Sequence, residues 1–125
     1  MPYNTTLEDR IEDLTRGWDG LERKKMFGGV CYLVNGNMAF GIWKDFLIVR
    51  MAPSLAVKKL HQPHVGEFDL TGKPMKGWVM VGKGSWDDTA ALDGWLRIGK
   101  AFALTLPVKK RKGKSLEEIY YRTHR

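Results

Sequence analysis

Asn35-Gly36, set between the apolar runs Val30–Val34 and Met38–Trp43, constrains the fold more than any other feature of the chain. A two-residue hairpin turn needs positive φ at both central positions, and Asn and Gly adopt it at the least steric cost. A third apolar run, Phe46–Met51, follows after Lys44-Asp45, so the stretch predicts a three-stranded meander. Met38, Phe40 and Ile42 alternate with Ala39, Gly41 and Trp43, the period of two expected of a strand. Val30–Val34 is apolar on both faces, which suits a central strand covered by helices on one side and by a partner chain on the other.

Helices flank this meander. Leu7, Ile11, Leu14 and Trp18 form one apolar stripe, with Thr6 and Asp9 as a capping box, and predict a helix from Thr6 to Trp18. Pro53 opens a second helix that runs to Leu60, where His61-Gln62-Pro63 stops it. Short strands are expected at Glu67–Leu70 and Trp78–Val81, joined through the turn chemistry of Thr71-Gly72-Lys73-Pro74. Leu92, Trp95, Leu96, Gly99, Phe102, Ala103 and Leu106 make a broad helical face, begun by Ser85, Asp87 or Asp88 and ended by Pro107. The order α-β(3)-α-β(2)-α, with strands in consecutive blocks, indicates an α+β fold of two layers with a mainly antiparallel sheet.

A chain of 125 residues is one domain in size and can bury a core without metal or disulfide staples. Cys31 is its single cysteine, which excludes an internal disulfide and suits a reducing cytoplasm. Met1–Arg10 has no apolar signal-peptide core, and no apolar run approaches the roughly 18 residues that span a bilayer. The net charge of +7 is unevenly spread: from Pro107 onward there are seven basic and two acidic residues, a net of +5. Residues 1–107 are therefore expected as the domain, and 108–125 as a basic tail whose Ser115-Leu116-Glu117-Glu118 opens a short helix.

Taken together, Arg23-Lys24-Lys25-Met26-Phe27-Gly28-Gly29, Val34-Asn35-Gly36-Asn37-Met38, Leu47-Ile48-Val49-Arg50 and Phe68–Val79 resemble the TfoX N-terminal-domain-like family, as does the long helix Leu92–Leu106 closed by Pro107. The resemblance covers residues 5 to 107 and implies a fold similar to that of secretion chaperones. It also implies a regulatory role related to transcription or natural competence. The chain looks like the stand-alone members rather than those with a second, helix-hairpin-helix domain. The basic tail lies outside the pattern that carries the resemblance.

No Gly-x-Ser-x-Gly, Cys-x-x-Cys or His-Glu-x-x-His spacing occurs, so no catalytic, cofactor or metal residues are assigned and a non-enzymatic interaction protein is expected. His61 and His64 straddle Pro63 on a loop, Cys31 is expected buried and inert, and Asp87-Asp88 is expected as a helix cap. Lys25-Met26-Phe27-Gly28-Gly29 is expected as a structural glycine feature leading into a strand, with Met26 and Phe27 inward. The Thr71–Trp78 loop offers glycines and lysines to an anion or ligand, and Arg50, Lys73, Lys76 and Trp78 are the candidate contacts. In the tail, Lys109, Lys110, Arg111, Lys112 and Lys114, with Tyr120 and Tyr121 nearby, are candidates for nucleic-acid or partner contact. A homodimer with an unidentified protein partner and no membrane completes the expectation.

Overall fold

The computed structural model describes residues 3–26, 28–69, 72 and 75–108. Six strands form one antiparallel sheet in the order β1-β2-β3-β4-β6-β5: β1 (Leu21–Met26), β2 (Gly29–Val34), β3 (Asn37–Trp43), β4 (Phe46–Arg50), β5 (Val65–Glu67) and β6 (Trp78–Val81). The helices are α1 (Thr5–Leu14), α2 (Pro53–Lys59), α3 (Lys83–Trp86) and α4 (Thr89–Leu104). The α+β class and antiparallel sheet expected from the sequence are those observed. None of the described helices is long and apolar enough to cross a membrane.

The Asn35-Gly36 turn forms as expected, with φ of 52° and 83°. Beside it the pairing shifts: Leu33 faces Met38 while Tyr32 faces Phe40, which leaves Ala39 as a bulged extra residue. The bulge keeps Tyr32 and Phe40 on the helix side of the sheet, where their rings stack at 5.2 Å. Val30, Val34, Ile42, Leu47, Val49, Val79 and Val81 join them in the core, covered by Leu7 and Ile11 of α1 and by Leu92, Trp95, Leu96 and Ala103 of α4. Helix α4 comes so close at Gly99 that any Cβ there would strike the Ala39 carbonyl oxygen.

Several boundaries differ from the expectation, each for a physical reason. Strand β1 was not expected, because LERKKM reads as charged surface rather than as a strand; it is an edge strand, and lysines on an edge discourage pairing with foreign chains. Helix α1 is capped by Asn4, whose side chain accepts from Leu7 N, and it ends before Trp18, which packs edge-on against Phe40. Strand β5 lies at Val65–Glu67 instead of Glu67–Leu70; Phe68 has left the ladder, and Leu70 lies outside the described residues. Of the three cap candidates, Asp88 caps α4 by accepting from Ala91 N at 3.0 Å, while Ser85 and Trp86 belong to the separate short α3. Asp87 instead pairs with Arg10 of α1 at 3.4 Å.

A polar clasp fastens α1 to the β1–β2 edge. Arg23 Nε donates to Glu8 Oε2 at 2.7 Å and sits 3.4 Å from Glu12, while the hydroxyls of Tyr3 and Tyr32 donate to Glu8 and Glu12. The Glu8 hydrogen bond raises Arg23 further above its ordinary value. Burial first, and then the negative charge of Glu12, hold the Tyr32 phenol well above its ordinary value, so it stays protonated and donates.

Gly99→Ala is expected to destabilise the domain by about 1–3 kcal/mol in urea denaturation, since the added methyl meets backbone that cannot yield. Gly94→Ala in the same helix, where a Cβ has nothing within 4 Å, is expected to stabilise it by about 0.5–1 kcal/mol.

Candidate functional site

With α1 and α4 on one face of the sheet, the other face is built from the alternate residues of the same strands. Cys31 and Leu33 of β2, Met38 and Trp43 of β3, and Ile48 and Arg50 of β4 point there. Together with Met26 of β1, Phe68, Met75 and Trp78 they line an apolar groove of about 320 Å³ to which no described helix contributes a residue. Its floor is low because Gly29, Cys31 and Gly41 are small. Its walls are aromatic and sulfur-bearing: Trp43 meets Phe68 edge-on at 6.1 Å, and Phe68 lies 6.4 Å from Trp78.

Arg50 is the single charged residue among the described groove lining. It faces Trp78 across β4 and β6, and its guanidinium carbon lies 5.3 Å from the Trp78 ring centroid and 5.3 Å from that of Phe102 in α4. Among the described residues its guanidinium makes no hydrogen bond or ion pair, these two ring contacts being the side chain's interactions. Trp78 is delivered to Arg50 by Gly77, which has φ of 84° and whose carbonyl accepts from Met51 N at 2.7 Å. A Cβ on Gly77 would lie 2.6 Å from the Met51 carbonyl oxygen, so glycine is required there by both conformation and space.

The candidates taken from the sequence therefore separate. Arg50 and Trp78 come together in the groove. Lys76 is exposed and borders a different depression, beside Pro53, Val57 and Leu60. Lys73 lies outside the described residues, as do Lys109, Lys110, Arg111, Lys112 and Lys114 of the tail. Met26 and Gly29 pair at the end of the β1–β2 hairpin, so Gly28, with φ of 77°, lies in its turn, while Gly29 opens β2 where a Cβ would strike the Ile42 carbonyl oxygen; Phe27 lies outside the described residues. His61 and His64 are exposed, and the described residues hold no group of three or more His, Cys, Asp or Glu arranged for a metal ion.

The groove residues Cys31, Leu33, Met38, Trp43 and Phe68 were not singled out by sequence as a site. The signal was present as a strand apolar on both faces, which only the position of the helices turns into a surface. Cys31, 7% exposed, sits in the groove floor, and burial raises its thiol above the ordinary value.

A model of the TfoX N-terminal domain matches residues 13–103, nearly three-quarters of the chain, and the protein belongs to that family. No curated protein and no solved structure matched it.

Since the Cys31 thiol is the reactive form's precursor and is held protonated, alkylation by iodoacetamide at pH 8 is expected to be at least about tenfold slower than for free cysteine. The rate should still be climbing where free cysteine, with a pKa of about 8.5, has levelled off. A plateau at the pH of free cysteine would contradict the assigned environment.

Proposed function

We propose that the chain is a regulatory binding domain that acts by taking a small apolar ligand into the groove on the face of its sheet opposite α1 and α4. The observation that carries this reading is the groove itself: concave, aromatic-walled, and provided with one charged group among its described lining. Its volume of about 320 Å³ is at the lower end of the roughly 300–1,000 Å³ typical of small-ligand sites, and its mixture of apolar walls with a single charge is typical of them too. Membership of the TfoX N-terminal-domain family supports the regulatory half of the reading. Relative to the expectation of an anion-binding Thr71–Trp78 loop, the contact surface moves from lysines in the loop to the apolar strand face that the loop's end, through Met75 and Trp78, helps to wall.

The neutral dye Nile red tests the groove without involving charge attraction. A saturable rise in its fluorescence with one site per chain is expected. Met38→Lys or Leu33→Lys should weaken it by at least about fivefold, equivalent to about 1 kcal/mol. Both side chains are half-buried in the groove wall and stand clear of the helix-side core, so the thermal midpoint serves as a check on folding. Val57→Lys, at a residue 61% exposed on α2, should leave binding unchanged. Equal affinity in the wild type and both groove variants would refute the site.

A further inference from the structure

The groove has an end as well as a face, and its chemistry is asymmetric. At the Asn35-Gly36 end of the sheet the lining holds Leu33, Met38 and Arg50, with Trp78 paired to Arg50 across β4 and β6. At the opposite end stand Met26 and Trp43; Lys44 lies over the Trp43 ring at 4.5 Å and Lys24 pairs with Cys31 across β1 and β2, neither of them entering the lining. A permanently charged guanidinium half-buried against apolar and aromatic surface is partly desolvated, and ring contacts compensate only part of the hydration it loses. Ring contacts also leave its five N–H donors for an acceptor, and among the described residues none is provided. A carboxylate suits that fork, because two parallel N–H···O bonds satisfy both groups at once.

We propose that the groove selects an amphipathic monoanion: a small carboxylate whose apolar chain or ring lies along Cys31, Met38, Ile48 and Trp43 while its carboxylate is held by Arg50. This rests on the groove being a ligand site and adds the charge, the polarity and the direction of the ligand. Arg50 holds the headgroup and the aromatic row Trp43–Phe68–Trp78 packs the body. The required ligand has one charged end, because the described lining presents no second charge to receive another.

Decanoate and decanol, which share a chain and differ in the headgroup, separate the two levels of the proposal. In displacement of Nile red from the intact chain, below the micellar range, decanoate is expected to bind at least about tenfold more tightly than decanol. Arg50→Gln should abolish that preference while leaving decanol affinity within about twofold, and Arg50→Lys should restore part of it. The basic residues beyond Pro107 remain in both variants, so anion attraction by the tail is common to all three proteins. Occupancy is located by Cys31: decanoate should slow its alkylation in the wild type, which binding on the tail would not do. Equal binding of decanoate and decanol by the wild type would overturn the monoanion proposal while leaving the groove as an apolar site. Retention of the preference in Arg50→Gln, or decanoate binding without shielding of Cys31, would overturn it as well. Failure of both compounds to displace a bound dye would remove the ligand proposal together with the apolar site.

Discussion

The close approach of Gly99 to the bulged Ala39 decides how the two layers of the molecule meet. Without a side chain at that point, α4 rests on the backbone of β3, and Leu92, Leu96 and Ala103 reach the sheet on either side of the contact. The bulge and the glycine depend on one another: the extra residue lifts a carbonyl toward the helix, and the helix has room for it. Helix α1 joins the same face through Leu7 and Ile11 and is secured at the edge by the Arg23–Glu8 contact. Asn37 ties the end of α4 to the hairpin by donating to the Pro107 carbonyl at 2.8 Å. With these contacts made, α1 and α4 lie on one side of a sheet whose central strands are apolar on both.

The groove is the consequence. Cys31, Leu33, Met38, Trp43 and Ile48 would be ordinary interior residues in a three-layer protein; here they form a concave surface rimmed by Phe68 and Trp78. Large contiguous apolar patches on soluble proteins mark interaction or ligand sites. On the proposed reading Arg50 gives the surface direction, since a charge in an otherwise apolar wall orients a ligand. Gly77, immediately before β6, contributes backbone as well, because its carbonyl accepts from Met51 N and so sets Trp78 opposite Arg50. The core and the candidate ligand surface thus share elements: the strands that build the core on one face carry that surface on the other.

Much of the architecture was legible where local chemistry is strong. Asn35-Gly36, the strands around it, Pro53 at the start of α2, the strand Trp78–Val81 and the α4 periodicity were all read correctly, because turn geometry and apolar period act over a few residues. The misses lie at the sheet edges, where burial no longer enforces a pattern. Four of the six residues of strand β1 are charged, and β5 contains Val65-Gly66-Glu67, which has no alternation to find. Helix α1 was drawn four residues too long because Trp18 continues the apolar stripe after the backbone has left the helix. Of the candidate site, Arg50 and Trp78 were named from the sequence, but as parts of a lysine-bearing loop rather than as one end of an apolar groove.

Sequence alone determined the hairpin, the period of each central element and the family, since all three are written in the order of neighbouring residues. It also showed that Val30–Val34 is apolar on both faces. Which face the helices cover, and therefore which apolar residues become core and which become groove, was decided only when Gly99 met Ala39 and Arg23 met Glu8. Those partners are far apart in the chain, so no local pattern encodes their meeting. Arg50 acquires its place in the same way, from Trp78 across the sheet and Phe102 across the layer.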